Sequence, residues 1–408
     1  MLWICRAARF RGPTWTENLR RSTSANPGFK YRASGLVTSP YHRLRILALS
    51  PYLKMTINQK MKSDIESILD SLVASTPNIS SHEAAERIYT VGTACINARS
   101  SAGSLADDEE DDVAIYGSPT TPGVPGFFAG LWTGLIHHIH HAPVEEQAHH
   151  DYITRLVEFV SQVKAKSQPE GKDWLIRGEI CRWDNLPLLG MYIRDVYNDI
   201  DTTGFEPSTL LSQEAQAAVA GAIQLEPQQL TSEDTESDTI RLAKSRHQWL
   251  SLQVFISRLW RDCGCNEYDK YAIWALRPAL EDWPESPPAC DAKCETFEES
   301  PAYLAFQVEA ASIWICNTAP LMYRCTGIMG PNGDPDWPQG YGAPGRGGRR
   351  WNGVDGYDRE HKRWQLWKDV LGEVIQWCDR AGKDQMKGWK VKDAAIRALE
   401  ALKAAERQ

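Results

Sequence analysis

The stretch WLSLQVFISRLW, residues 249–260, decides the fold class. Its large apolar side chains recur at steps of three or four residues, at Trp249, Leu252, Phe255, Ile256 and Leu259. Because an α-helix completes a turn in 3.6 residues, this spacing places them on one face. The pattern predicts a helix over 241–260 that buries this face in a core.

Similar apolar stripes extend outward from this helix in both directions. They predict helices over about 65–72, 88–95, 127–141, 145–166, 271–280, 303–317, 364–378 and 389–406, and composition adds one over 209–224. The apolar segment 174–199 is predicted to form one helix that stops near Trp183 and a second that begins at Pro187, since the proline disfavours helical angles at Leu186. Ser80, three residues before Glu83, predicts a helix start with a capping box.

The sequence contains no sustained two-residue alternation of the kind that strands and hairpins show. We therefore predict an all-α fold, a single large irregular helical domain of about ten or eleven helices over 55–408. Two long loops interrupt it. The first, at about 100–126, contains the acidic run 107–112, and the second, at about 327–357, is rich in Gly and Pro and has almost no aliphatic residue to bury.

Charge is distributed unevenly along the 408 residues. Residues 1–54 hold eight Arg, two Lys and one acid, Glu17, for a net charge of +9, whereas the whole chain carries −8, which leaves −17 on the rest. An Arg- and Ser-rich segment with few acids is typical of a mitochondrial transit peptide. A start assigned too far upstream, with Met55 as the true start, and a basic arm that binds an acidic surface are the alternatives.

The composition excludes some classes of function and favours others. No run of about 18 apolar residues occurs, so a membrane span is not expected. The negative body disfavours nucleic acid, because such binding rests on cations that neutralise phosphates. These features predict a soluble protein of the cytoplasm or nucleus, or of the mitochondrion if residues 1–54 are genuine.

Three short segments are distinctive: RWQLWK at 363–368, WDNLP at 183–187 followed by Arg194 and Asp195, and the helix at 249–259. Together they resemble a fungal family catalogued as domain of unknown function 3632. The resemblance implies an all-helical soluble domain and no known activity.

Histidine forms the most conspicuous local cluster. Six of the ten His lie at 137, 138, 140, 141, 149 and 150. On a helix His137 and His141 share a face, and His140 is three residues from His137, so these three are the candidate zinc ligands. Zinc needs three or four ligands and the His-Glu-x-x-His pattern is absent. A polar helix end without metal is the alternative, and no other cofactor is predicted.

Four of the ten cysteines lie close in sequence, at Cys263, Cys265, Cys290 and Cys294. A structural metal site, a disulfide and ordinary thiols are all compatible with that spacing.

Tryptophan is abundant, with 16 residues. Those at helical spacing are predicted to lie in the core, whereas Trp283, Trp337 and Trp351, outside helices, are candidates for an interaction surface. The sequence has no Gly-x-Ser-x-Gly elbow and no phosphate loop.

The leading hypothesis is therefore a non-enzymatic protein-interaction or scaffold domain with a protein partner. A metal-binding protein or metal-dependent enzyme that uses the cluster from His137 to His141 is the alternative. A helical domain with an aromatic-lined pocket for a small molecule is a third option.

Overall fold

The computed structural model describes residues 57–101, 123–168, 174–176, 179–204, 238–290, 292, 300–381 and 388–408. All of them belong to one compact unit, Lys54–Gln408. Within these ranges the fold is all-α, as predicted. The ten α-helices are α1 (Ile57–Val73), α2 (Ser81–Ser101), α3 (Gly123–His140), α4 (Glu146–Lys164), α5 (Leu189–Gly204), α6 (Asp238–Cys263), α7 (Asp269–Leu276), α8 (Pro301–Arg324), α9 (Lys362–Ala381) and α10 (Val391–Ala405).

Helices α1 to α4 pack against one another in the first half of the described chain. Glycines on α3 let α1 approach closely. A Cβ added to Gly130 would lie 3.1 Å from Cε of Met61, and one added to Gly134 would lie 3.2 Å from Cδ1 of Leu69. None of the helices in the described ranges combines the length and the apolar character that crossing a membrane requires.

The start of α2 follows the predicted capping pattern in part. The hydroxyl of Ser80 accepts a hydrogen bond from the backbone N–H of Glu83 at 3.1 Å, which satisfies one of the free donors of the first turn. The carboxylate of Glu83 instead accepts from Arg87, one turn further along the helix.

Helices α6 and α8 connect the two halves of the fold. Helix α6 contacts α3, α4, α5 and α8, and α8 contacts α6, α7 and α10. The stripe predicted on α6 is buried, with Leu252, Phe255, Ile256 and Leu259 fully enclosed. Between these two helices, Nε1 of Trp314 donates to Oε1 of Gln253 at 2.6 Å.

The segment 174–183 differs from the helix predicted there. It contains strands β1 (Trp174–Ile176) and β2 (Glu179–Cys181), which pair antiparallel with Trp174 opposite Cys181. Trp174 and Ile176 are both buried because alternate residues of a strand point to the same face. Strands of three residues are too short for this alternation to stand out in the sequence.

The break at Pro187 is present, but α5 begins at Leu189 rather than at the proline. Leu186 takes a left-handed conformation, φ 46°. The helix predicted over 209–224 and most of the loop at about 100–126 lie outside the described residues. Residues 123–126 of that loop are helical and form the first turn of α3.

Helix α7 continues into a π-helical turn (Arg277–Glu281). The last residue of this turn, Glu281, carries a buried carboxylate. Glu281 is fully buried and Arg363 on α9 is 1% exposed. The guanidinium of Arg363 donates twice to this carboxylate, from Nε at 2.7 Å and from Nη2 at 3.0 Å. Nε1 of Trp367 donates at 2.9 Å and the backbone N–H of Gly348 at 2.7 Å. Each carboxylate oxygen therefore accepts two hydrogen bonds.

The remaining nitrogen of Arg363 reaches into the Gly- and Pro-rich segment. Nη1 donates to the carbonyl oxygens of Gly345, at 2.9 Å, and Gly356, at 2.6 Å. The guanidinium also lies 5.7 Å from the ring centroid of Trp351 and 5.8 Å from that of Trp367, which are cation–π distances. One buried arginine thus ties helix α9, the π-helical turn and two points of the segment together.

The segment 327–357 is irregular, as predicted, but its backbone is held at defined points. The N–H of Gly345 donates to the carbonyl of Met329 at 2.8 Å, and that of Tyr357 donates to Gly327 at 3.0 Å. The second bond joins the two ends of the segment, and the first ties its middle back to its beginning. The segment therefore has a defined conformation without a helix or strand of its own.

Replacing Arg363 by Met tests the buried pair. It leaves the carboxylate of Glu281 enclosed without its charge partner, so we expect a loss of about 3–5 kcal/mol in the free energy of unfolding, measured with urea. Lys60→Met is the control, because its ion pair with Asp64 is exposed and worth at most about 1 kcal/mol. A loss below about 1 kcal/mol for Arg363→Met would contradict this description.

A second substitution, Gly356→Ala, tests the close packing of the segment. Gly356 has φ +133°, and an added Cβ would lie 2.2 Å from the carbonyl oxygen of Gly327. Gly264 is the control: its φ is +62°, but a Cβ there meets nothing within 4 Å. We expect Gly264→Ala to lose about 1–2 kcal/mol from backbone strain alone and Gly356→Ala to lose clearly more. Equal losses of the free energy of unfolding in the two variants would show that the segment accommodates the added Cβ without further cost.

Candidate functional site

The three candidate zinc ligands lie at the end of α3, where two of their rings come close together. The rings of His137 and His141 are 4.1 Å apart between centroids, and Nδ1 of His141 lies 2.7 Å from the carbonyl oxygen of His137. His140 is partly buried, and its Nε2 has no hydrogen-bond partner. Across the part of the chain that the structure describes, no group of three or more His, Cys, Asp or Glu side chains is arranged to hold a metal ion.

His138, in the same cluster, has a structural environment. It is buried between α1, α3 and α4, with Nδ1 3.1 Å from the hydroxyl of Tyr152 and Nε2 3.5 Å from the carboxylate of Asp70. Burial lowers the pKa of His138 and raises that of Tyr152, since both charged forms are disfavoured away from water. The contact joins three helices and favours a neutral imidazole.

His149 contacts a serine whose hydroxyl is already bonded to a backbone carbonyl. Its Nε2 lies 3.0 Å from Oγ of Ser251, which is fully buried. That hydroxyl donates its single proton to the carbonyl of His247 at 2.8 Å, so it can only accept from His149. A general base would have to accept the proton instead. The pair therefore links α4 to α6, and in this arrangement His149 does not accept the proton of Ser251.

The cysteines at the end of α6 are poor nucleophiles. Burial raises the pKa of Cys263 to about 12 and that of Cys265 to about 11. Lys164 opposes this only in part, with Nζ 3.7 Å from Sγ of Cys265. Thiols with such pKa values hold almost no thiolate at neutral pH. Cys294, the fourth cysteine of the predicted group, lies outside the described residues.

Trp283 is not at the surface, contrary to the prediction. It is 1% exposed and packs edge-on against Trp377 of α9, with ring centroids 5.6 Å apart. It follows the π-helical turn, whose fully buried Glu281 keeps the chain inside the fold at this point. A short Pro-rich break in a sequence does not show whether it lies inside or outside a helical bundle.

Trp337 and Trp351 are partly exposed and have different surroundings. The ring of Trp351 lies over the guanidinium of Arg363, so one face of it belongs to the buried network. Trp337 lies farther out, and its Nε1 donates to the carbonyl of Gly342 at 2.7 Å. This bond closes the turn 337–342. We call residues 331–342, which include this turn, the aromatic loop.

The aromatic loop presents two rings to solvent. Tyr341 is 45% exposed and Trp337 is partly exposed. Two turns shape the loop, since the N–H of Trp337 donates to Asp334 at 3.1 Å and that of Tyr341 donates to Pro338 at 3.3 Å. The rings are therefore held on a folded turn structure.

A cleft, which we call the aromatic cleft, lies between α5, α6, α7 and α8 and has a volume of about 370 Å³. Its aromatic residues are Tyr197, Trp249, Trp274 and Tyr303, and its polar ones are Asn198, Gln253, Arg277 and Gln307. Two larger depressions of about 640 Å³ each adjoin His137 and His138. The sequence predicted an aromatic-lined pocket only as an option. The residues that line it could not be identified, because they come from four helices.

Sequence reasoning also missed the pair formed by Glu281 and Arg363. Neither residue is part of a recognisable motif, and they lie 82 positions apart. The only available signal was the position of Arg363. It lies in the first turn of a helix, next to Trp364 and Trp367, which were predicted to be buried. A charge that starts an apolar stripe predicts a buried partner, but does not identify it.

Comparison with known proteins gives a family and no activity. A sequence model of the family described as "Protein of unknown function (DUF3632)" matches residues 132–371, more than half of the chain. The motifs at 183–187, 249–259 and 363–368 lie within that stretch, so the resemblance is confirmed. No curated protein and no solved structure matches the chain.

The buried histidines predict a dependence of stability on pH. Burial, together with the neighbouring histidines, lowers the pKa of His140 and of His149 to about 4 from 6.5. The unfolded chain therefore takes up these protons at higher pH than the folded chain does. The stability they contribute is complete above pH 6.5 and is lost as the pH falls from 6.5 towards 4.

We expect each group to reduce the free energy of unfolding by about 1–2 kcal/mol between pH 7 and pH 5. Urea unfolding at both pH values measures the loss. His149→Gln, which keeps a donor for Ser251, should lose less than the wild type over this interval, whereas Gln147→Ala, an exposed change on the same helix, should match it. Equal losses in His149→Gln and the wild type would exclude a role for this imidazole.

Proposed function

The chain belongs to the family described as "Protein of unknown function (DUF3632)", and we propose that it is a non-enzymatic protein-interaction domain whose aromatic loop binds a partner protein. The observation that carries this proposal is the exposure of the loop. Among the described residues only two large apolar or aromatic side chains are strongly exposed, Ile180 at 48% and Tyr341 at 45%. Tyr341 lies in the same loop as the partly exposed Trp337, whereas Ile180 lies on the two-stranded sheet.

The support of the loop strengthens the argument. Rigid aromatic side chains make effective interface anchors, because little conformational entropy is lost when they bind. The aromatic loop continues into residues 345–356, which Arg363 and Glu281 hold from inside. A loop fixed in this way already has its rings exposed in one conformation, so that it does not have to become ordered when a partner binds.

The charge of the loop indicates the chemistry of the partner. Asp334 and Asp336 flank the turn, and no basic residue lies within 331–342. The matching surface is an apolar patch with a Lys or Arg at its edge. An acidic partner would be repelled, in keeping with the negative body of the chain.

The alternative, a metal-binding protein or metal-dependent enzyme that uses His137, His140 and His141, has less support. Two of the rings are close together, but a zinc site needs at least one further ligand. Within the described ranges that ligand set is not assembled. The chemistry of Ser251, Cys263 and Cys265 described above adds no nucleophile.

Site-specific photocrosslinking in the cells of origin tests the proposal. A benzophenone amino acid replaces Tyr341 in the full chain, and the same group replaces Ile180 as a control of equal exposure. We expect a discrete protein adduct from position 341 that is absent from position 180. Adding Trp337→Ala should abolish it without lowering the melting temperature.

The partner identified in this way is then purified and titrated. Tyr341→Ala should weaken binding at least tenfold, as expected for an anchor residue, and Ile180→Ala should leave it within twofold. The proposal fails if position 341 gives no adduct, if both positions give the same adducts, or if the two alanine variants bind equally well.

A further inference from the structure

The aromatic cleft has the dimensions of a small-molecule site, since its volume of about 370 Å³ lies in the range of ligand pockets. Its lining combines four aromatic rings with four polar side chains. The ring of Tyr197 lies 4.7 Å from that of Trp249 and 6.0 Å from that of Trp274, between centroids. The ring of Tyr197 is tilted by 50° against Trp249 and by 54° against Trp274, and the three together form an aromatic wall against which a flat ring can pack.

Two of the lining residues carry buried hydrogen-bond donors without acceptors. Gln253 is fully buried, and its Oε1 is occupied by Nε1 of Trp314 at 2.6 Å. Because an indole nitrogen can only donate, this bond fixes the orientation of the amide. The amide nitrogen of Gln253 then has no partner, and neither has Nε1 of Trp249, which is 9% exposed overall. Unpaired buried donors are uncommon and favour an acceptor-bearing occupant.

The positive charge of the lining also favours an occupant that carries hydrogen-bond acceptors. Arg277 is the cation of the cleft, and no Asp or Glu lines it. Within the described structure Arg277 forms no ion pair, and its guanidinium makes one long bond, 3.5 Å, to the carbonyl oxygen of Arg346. Glu309, on the helix that contributes Gln307, is already paired with Arg246 and is not part of the lining.

We propose that the aromatic cleft binds a flat aromatic carboxylate, with its ring on Trp249 and Trp274 and its carboxylate at Arg277. A planar guanidinium suits a carboxylate, because it donates two parallel hydrogen bonds. The amide of Gln253 provides a further donor for an acceptor on the ligand. This activity is separate from the aromatic loop and holds whether or not the loop binds a protein.

Titration calorimetry on the full chain tests the proposal with three probes that share one ring system: 2-naphthoate, 2-naphthamide and 2-naphthylmethylamine. We expect 2-naphthoate to bind with a Kd between about 10 μM and 1 mM, the range for a ligand of this size. The neutral amide should bind at least tenfold more weakly, and the amine should not bind. Equal binding of all three probes, or no binding of 2-naphthoate at 5 mM (about five times the weakest expected Kd), would overturn the proposal.

Variants separate the carboxylate contact from general packing. Arg277→Gln should weaken 2-naphthoate at least tenfold and leave 2-naphthamide within twofold, whereas Trp274→Phe should weaken both. Arg349→Gln, an exposed arginine of the neighbouring segment, is the control and should change neither. If Arg277→Gln does not fold, Arg277→Lys keeps the charge without the planar fork and should weaken 2-naphthoate by a smaller factor. An unchanged affinity in a folded Arg277 variant would refute the assignment.

Discussion

The ion pair between Glu281 and Arg363 is the constraint on which the second half of the molecule depends. Both groups are removed from water, and every hydrogen-bonding position of the carboxylate is filled, by Arg363, Trp367 and Gly348. A buried pair is not in itself strong evidence of net stability, because desolvation offsets much of the attraction. Once buried, however, neither charge can lose its partner, so the groups that contact them are held in one arrangement.

The Gly- and Pro-rich segment derives its conformation from this arrangement. It has no apolar stripe and no regular hydrogen-bond ladder, so local propensity cannot order it. Its carbonyls at Gly345 and Gly356 bind the guanidinium, and Trp274 donates to the carbonyl of Pro344 at 2.8 Å. The last bond joins the segment to a wall of the aromatic cleft. The loop and the cleft therefore share a support, although each has its own binding chemistry.

The sequence predicted those parts of the structure that depend on local periodicity. The stripe from Leu252 to Leu259 and the pair Trp364 and Trp367 were enough to place helices and their buried faces. Features that depend on distant partners could not be predicted. The strands at 174–176 and 179–181 have too few residues for a pattern, Trp283 is buried by helices far along the chain, and the walls of the cleft come from four helices. Order in the segment 327–357 likewise comes from residues outside it.

Hydrogen exchange in the segment tests the central claim most directly. The amides of residues 343–357 include several that donate to buried acceptors, such as that of Gly348. If the buried pair orders this segment, those amides exchange as slowly as the amides of α9, because both open only when the network breaks. Exchange within about tenfold of the rate of an unstructured peptide, while α9 stays protected, would show that the pair does not hold the segment.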